Sequence, residues 1–300
     1  MKDRFGRPLK SIRITVTKRC NLSCFYCHRE GEVSGGEFLR PEDFHTIGEA
    51  SSRAGIKKAK LTGGEPLLRE DLEEIVSVLS KYMEEVSLTT NGVGLDERAN
   101  ALKEAGLKRV NISLDTLQPE RYRRITGRDF LESVISGVKA SVRAGLRPVK
   151  LNMVLLRGIN TDEVWEMSRF AMEVGAILQV IEVEAPRGEE FYSAYHTDPA
   201  PLERELKRKA LKVIKRELHA RRQYVVPLDG GEATVEVVRP MHNTSFCMGC
   251  TRIRLTSDGF LKPCLFRNDN LVDVRDALKD PEEFYRRILL ANERREPYWR

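Results

Sequence analysis

The sequence predicts an α/β fold built on a parallel sheet, and three observations carry that reading. From Ser11 to about Glu182, short β-branched runs alternate with longer segments of helical period. Gly55, Gly106, Gly145 and Gly175 each follow one of the helical segments, where a left-handed residue ends a helix. Six strands alternating with helices in this way indicate a parallel rather than an antiparallel sheet. Periodicity alone leaves a partial barrel and an open doubly wound sheet both standing. No G-x-G-x-x-G follows the first strand and no P-loop lysine is present, so dinucleotide and P-loop sheets lack their phosphate motif.

In order, the strands are expected at residues 11–16, 58–62, 86–90, 109–114, 149–155 and 177–181. The helices between them are expected at 41–53, 70–83, 96–105, 130–144 and 161–174. Pro41 suits a first helical position, and Asp43, Asp71 and Asp162 bring negative charge to first turns. From Glu182 the character changes. Pro186-Arg187-Gly188 signals a loop, and 199–220 reads as a basic helix with a solvated face. Strands are expected at 223–227 and 234–238, joined by Asp229-Gly230-Gly231. A hairpin of 251–256 and 260–264 turns at Ser257-Asp258-Gly259. The chain is therefore divided into 1–185 and 186–300, the second part closing the first.

Strand parity says more. Side chains alternate faces with period two. Ile12, Ile14 and Val16 oppose Arg13 and Thr15; Ala59 and Leu61 oppose Lys60 and Thr62. Val110, Ile112 and Leu114 oppose Asn111, Ser113 and Asp115; Val149, Leu151 and Met153 oppose Lys150 and Asn152. A packed barrel interior is dominated by branched apolar residues, and a polar one is unfavourable unless it holds water or a ligand. The expected interior is cationic, through Arg13, Lys60 and Lys150, and ligand-filled.

All six cysteines fall into two triplets: Cys20, Cys24 and Cys27, then Cys247, Cys250 and Cys264. That clumping suits metal binding better than dispersed disulfides. The first triplet leaves the first strand on a loop, where three thiolates can converge. Three thiolates without a fourth suggest an iron–sulfur cluster with one free iron. His28 beside the first triplet, or His242 near the second, would instead complete a Cys3His zinc site. Arg252 and Arg254 share one face of the strand between Cys250 and Cys264, beside the second triplet.

The C-x-x-x-C-x-x-C spacing with Tyr26 before the third cysteine resembles the radical SAM superfamily, and Gly63-Gly64-Glu65-Pro66 resembles its GGEP motif. The resemblance implies a partial barrel of six βα units and a [4Fe-4S] cluster on Cys20, Cys24 and Cys27. It also implies S-adenosylmethionine as cofactor, with Tyr26, Gly63, Gly64, Glu65, Asn91 and Ser113 around it. Both triplets and the C-x-x-C-x13-C spacing resemble, from about Arg13 to Phe266, the GTP 3′,8-cyclases of molybdenum cofactor biosynthesis. That resemblance implies a second [4Fe-4S] cluster on Cys247, Cys250 and Cys264, in the C-terminal extension. It implies GTP contacts on Arg13, Lys60, Thr89, Lys150, Arg252 and Arg254, and no catalytic side chain, since the cofactor carries the chemistry. A deoxyadenosyl radical would take hydrogen from C3′ of GTP, the C3′ radical would add to C8, and the resulting aminyl radical would be reduced to 3′,8-cyclo-7,8-dihydro-GTP.

The resemblance further implies an electron donor such as flavodoxin or ferredoxin and a downstream cyclic pyranopterin monophosphate synthase. Three departures stand out: Gln179 where an arginine is expected, Glu184 where a methionine is expected, and an ending Pro297-Tyr298-Trp299-Arg300 without Gly-Gly. Two alternatives remain at this stage, a radical SAM peptide-modifying maturase and a zinc-containing RNA-binding protein. The net charge of +6 suits an anionic ligand but is weak evidence for nucleic acid, which is not expected as a partner. No apolar run has transmembrane length and no signal-peptide pattern opens the chain, so a cytoplasmic protein without a membrane partner is expected. Oligomeric state is open, with a homodimer one option.

Overall fold

The structure, a computed structural model, describes residues 1–31, 36–184, 190–216 and 218–299. The Pro186-Arg187-Gly188 loop signal, the 185/186 boundary and Arg300 lie outside them. In chain order the elements are β1 (Ser11–Thr15), α1 (Asp43–Arg53), β2 (Lys58–Thr62), α2 (Leu72–Ser80), β3 (Glu85–Thr90), α3 (Leu95–Glu104) and β4 (Arg109–Ser113). Then come α4 (Pro119–Thr126), α5 (Leu131–Arg143), β5 (Val149–Leu155), α6 (Val164–Glu173), β6 (Ile177–Glu182), α7 (Glu190–Tyr195) and α8 (Ala200–Lys209). The remainder are β7 (Lys212–Lys215), β8 (Arg222–Leu228), β9 (Gly231–Val238), α9 (Thr244–Met248), β10 (Arg252–Leu255), β11 (Phe260–Lys262), β12 (Val272–Asp273) and α10 (Pro281–Glu293).

The twelve strands among the described residues form one sheet, in the order β12-β11-β10-β1-β2-β3-β4-β5-β6-β9-β8-β7. The middle eight, β10 and β1 to β6 and β9, run parallel. The six expected βα units are thus present, and the C-terminal part of the chain extends both edges. Register aligns the faces across the sheet. Ile12 pairs with Ala59 and Ala59 with Val86, and further on Ile112 pairs with Leu151 and Leu151 with Leu178. These six side chains are at most 1% exposed and pack into one continuous core with residues of the covering helices, such as Phe44, Ile47, Ile75, Leu102, Val134 and Met167. Burying each of the larger side chains contributes ~1.5–3 kcal/mol. The opposite face gives two polar rows, Arg254-Arg13-Lys60-Ser87-Arg109 and Ser113-Asn152-Gln179-Glu236-Gln223.

Gly55, Gly106, Gly145 and Gly175 all have positive φ, as expected after helices. The basic segment 199–220 is corrected: its helix stops at Lys209, and Lys212–Lys215 is a strand antiparallel to β8. Val213 and Ile214 favour extended backbone, and pairing to Tyr224 and Gln223 satisfies it. Pro41 lies before α1 rather than in it. Asp162 likewise precedes α6 and pairs with Arg121 at 2.8 Å. α4 was unexpected; Pro119 opens it, and Gly127 at φ 72 ends it. α10 was also unexpected, and Asp280 caps it by accepting from the Glu282 and Glu283 amides at 2.9 and 3.2 Å.

Candidate active site

The first cysteine loop is held by backbone packing. Chain 17–19 crosses directly over Gly63-Gly64: the Gly64 amide donates to the Thr17 carbonyl and the Glu65 amide to the Arg19 carbonyl, both at 2.7 Å. A Cβ on Gly64 would lie 2.2 Å from the Arg19 carbonyl oxygen, and one on Gly63 would lie 2.5 Å from that of Thr17. Only glycine admits that approach. Glu65, fully buried, accepts from Thr90 Oγ1 and the Asn91 amide at 2.6 Å and from the Leu67 amide at 2.9 Å. Burial outweighs these donors and pushes its carboxyl up to about 7. Asn91 then donates to Asn21 Oδ1 at 2.7 Å, inside the cysteine loop.

Within that loop the Leu22 amide donates to Cys20 Sγ and the Arg29 amide to Cys27 Sγ, each at 3.4 Å. Burial raises the Cys20 and Cys24 thiols, and nearby Glu65 and Asp115 add to it. The Tyr26 hydroxyl donates to Asp115 Oδ2 at 2.6 Å, and burial pushes that carboxyl up to about 6. Ser113 ends β4 on the lumen row. Glu184, at the expected methionine position, lies 3.7 Å from His28 Nε2.

The second loop sits at the other end of the parallel strands. Cys247 and Cys250 precede β10, and Cys264 follows β11. The Trp299 amide donates to Cys247 Sγ at 3.5 Å, and the Trp299 ring lies 3.8 Å from that of His242. Burial raises the Cys247 and Cys264 thiols. Burial works the same way on Cys250, but Arg295 and Arg252 outweigh it and lower that thiol.

Among the described residues, a cavity of about 540 Å³ is lined by twelve lysines and arginines against three glutamates, with all three cysteines of the second loop in its wall. Two buried carboxylates divide four of the nearby cations. Glu30 accepts from Arg254 at 2.6 Å and lies 3.5 Å from Arg13. Glu236 accepts from Lys150 at 2.6 Å and lies 2.7 Å from Arg221. Lys60 meets neutral Asn111 at 2.9 Å. Burial first, then Arg109 and Arg13, hold its ammonium well below the usual range. Burial, with Arg13 and Arg254, pushes the Arg252 guanidinium down to about 9. Thr89 lies on the lumen face by register with Asn111, its buried hydroxyl without a hydrogen-bond partner. The two sheet edges meet across the cavity: His219 stacks on Phe246 at 3.8 Å, and its amide donates to the Gly249 carbonyl at 3.0 Å.

The lumen therefore gathers Arg13, Lys60 and Lys150, as parity implied, together with Arg252 and Arg254. Sequence reasoning missed Glu30, Glu236 and Arg221. A lone acid among Val235, Val237 and Val238 was the available sign of Glu236. Both carboxyls are disfavoured by burial, yet their cations hold them down at about 2: Arg13 and Arg254 for Glu30, Arg221 and Lys150 for Glu236. An unfolded glutamate takes its proton near 4.3, so this stabilisation is complete above that pH and is lost as pH falls toward 2. It is on the order of 3 kcal/mol for each. Urea unfolding of the metal-free Glu236→Gln protein between pH 5 and pH 2.5 should show a shallower loss of stability than the parent. Parallel curves would contradict it.

Four thiolates on one zinc stand roughly 3.8 Å apart, from Zn–S bonds of ~2.3 Å. Among the described residues no three His, Cys, Asp or Glu side chains converge closely enough for one metal ion. A zinc site completed by His28 or His242 does not fit. A four-iron cluster carries its thiolates on separate irons and suits free thiols spread around a loop, with amide N–H groups on sulfur.

The Radical SAM superfamily matches residues 14–171, and Molybdenum Cofactor Synthesis C matches residues 176–300. A Pyrococcus horikoshii protein named "Probable GTP 3′,8-cyclase" is 51% identical over 99% of this chain and 97% of its own. One of the same name from Methanocaldococcus jannaschii is 47% identical, covering 100% and 99%. Among solved structures, Streptococcus suis SuiB bound to S-adenosylmethionine superposes with a TM-score of 0.68 at 17% identity, over 93% of this chain and 66% of that one. The anSMEcpe structure with bound AdoMet gives 0.63 at 17%, over 91% and 80%, and both likenesses concern the fold. Among the described residues no helix is long and apolar enough to cross a membrane.

Proposed function

The chain belongs to the radical SAM superfamily and, within it, to the GTP 3′,8-cyclases of molybdenum cofactor synthesis, and on that premise we propose how its residues divide the work. The enzyme converts GTP and S-adenosylmethionine to 3′,8-cyclo-7,8-dihydro-GTP. Cys20, Cys24 and Cys27 would hold the [4Fe-4S] cluster that serves S-adenosylmethionine, and Cys247, Cys250 and Cys264 a second one facing the guanine. The cluster and its cofactor, when bound, supply the radical that starts ring closure.

The chain's own part is placement and exclusion of water. Gly63 and Gly64 bring the strand-end backbone against the cysteine loop, while Glu65 and Asn91 lock that contact. Tyr26, fixed by Asp115, and Ser113 border the cofactor end. Arg13, Lys60, Thr89, Lys150, Arg252 and Arg254 receive the nucleotide; a triphosphate needs such convergent cations and a peptide does not. The observation that carries this reading is one cationic lumen with the second triplet in its wall and Glu30, three residues past Cys27, reaching its arginines. A reduced flavodoxin or ferredoxin would supply electrons, and cyclic pyranopterin monophosphate synthase would take the product.

Anaerobic reconstitution should give about eight irons per chain. With S-adenosylmethionine, dithionite and GTP it should yield 5′-deoxyadenosine and the cyclised nucleotide, and GTP should bind much more tightly than ATP. Stoichiometric zinc without iron, or equal binding of GTP and ATP, would refute the assignment.

A further inference from the structure

Four residues place a donor on one carboxylate. Lys150 of β5 reaches Glu236 Oε2 at 2.6 Å, and Gln223 of β8 reaches the same oxygen at 2.7 Å. Gln179 of β6 reaches Oε1 at 2.5 Å, and Arg221, just before β8, lies 2.7 Å from it. Register explains the convergence, because Glu236 sits directly opposite Gln179 on one side and Gln223 on the other. A carboxylate offers about four lone-pair sites, so Glu236 is saturated.

The four donors are not equivalent. The glutamines are neutral, and Lys150 is a point charge without a planar fork. Arg221 has five N–H donors in a planar fork. Its Nε donates to the Leu218 carbonyl at 3.3 Å and its Nη1 meets Glu236, while the side chain lines the lumen. Its fork therefore retains donors for a further acceptor. The neighbouring turn is pinned by the His219 contacts to Phe246 and Gly249, so the guanidinium is held in place before any ligand arrives. Arg109, Arg216 and Lys150 stand in the same wall.

We infer that Arg221 contacts the phosphate chain of the nucleotide, that Glu236 is its positioning residue, and that this guanidinium supplies the charge β6 lacks at Gln179. The inference rests on the cyclase reading and adds to it a residue and a mode of placement. A phosphate chain, rather than the base, is the matching ligand because the fork pairs bidentately with phosphate oxygens and the surrounding wall is cationic. Gln179 and Arg221 reach the same oxygen from two elements, so a guanidinium on either would stand beside the same carboxylate.

The test is equilibrium binding of GTP, GDP and guanosine to the anaerobically reconstituted holoenzyme. Arg221→Gln should weaken GTP roughly ten- to hundredfold and leave guanosine unchanged, the loss expected of one charged hydrogen-bonded contact. Arg221→Lys should retain part of the affinity. Glu236→Gln should shrink the preference for GTP over guanosine without weakening guanosine. The exchange Gln179→Arg with Arg221→Gln should recover most of the GTP affinity. Unchanged GTP binding in Arg221→Gln, or an equal loss for guanosine, would overturn the inference while leaving the cyclase reading intact. Absence of GTP binding by the unaltered holoenzyme would overturn that reading and the inference with it.

Discussion

Cys24→Ala protein, reconstituted anaerobically, should form no 5′-deoxyadenosine above background, with or without GTP, and should lose about half of its iron. Even outer-shell partners of a metal centre change affinity or activity by ~10–100-fold, and removal of a direct thiolate should exceed that. Alanine is smaller than cysteine and Cys24 is partly exposed, so the fold should survive. Cys250→Ala should behave differently. Its loop lies at the opposite end of the strands, so S-adenosylmethionine cleavage should continue, uncoupled, while the cyclised nucleotide disappears. Product chromatography with iron analysis checks both. Cleavage persisting in Cys24→Ala, or vanishing equally in Cys250→Ala, would contradict the division between the two loops.

Glu65→Ala should be the most destabilising single change near the cofactor. It would leave Thr90 Oγ1 and the Asn91 and Leu67 amides without their acceptor in a site closed to water. Orphaned buried donors cost ~1–3 kcal/mol each, so a loss of about 3 kcal/mol or more is expected. That corresponds to a fall in Tm of roughly 5 °C or more for a chain of this size. Glu65→Gln should fall between, because its amide oxygen can serve Thr90 and Leu67 while its NH2 faces the Asn91 amide. Both variants should also lose 5′-deoxyadenosine formation, since Asn91 is the link from Glu65 to the cysteine loop through Asn21. Calorimetry of the metal-free proteins separates stability from cofactor chemistry. A Glu65→Ala protein as stable as the parent would refute the account.

The fold was legible where local pattern and tertiary role coincide. β2 and β5 fall where alternation puts them, and the helix-ending glycines all adopt the left-handed conformation their positions suggest. α4 was hidden because Pro-Glu-Arg-Tyr-Arg-Arg-Ile-Thr buries only Tyr122, Ile125 and Thr126, too little for a visible apolar stripe. β7 was hidden inside a lysine-rich run whose strand character comes from its pairing with β8. Strand parity announced the cationic lumen, because a period of two needs no tertiary information. Its counter-charges were invisible for the opposite reason. Glu30 meets Arg254 across 224 residues and Glu236 meets Lys150 across 86, and nothing local marks such partners.

β1 pairs with β10, so Arg13 lies beside Arg254, and Ser11 Oγ donates to the Thr251 carbonyl at a separation of 240 residues. A chain leaving the ribosome at ~5–20 residues per second makes its first strand roughly 10–50 s before that partner exists. Throughout that interval Ser11–Thr15 has β2 on one side and an open hydrogen-bonding edge on the other, the kind of edge through which nascent chains join one another. Closing so long a loop late also slows folding. The pairing that joins the two ends of the chain in one sheet thus leaves the edge of the first strand open until synthesis is nearly complete.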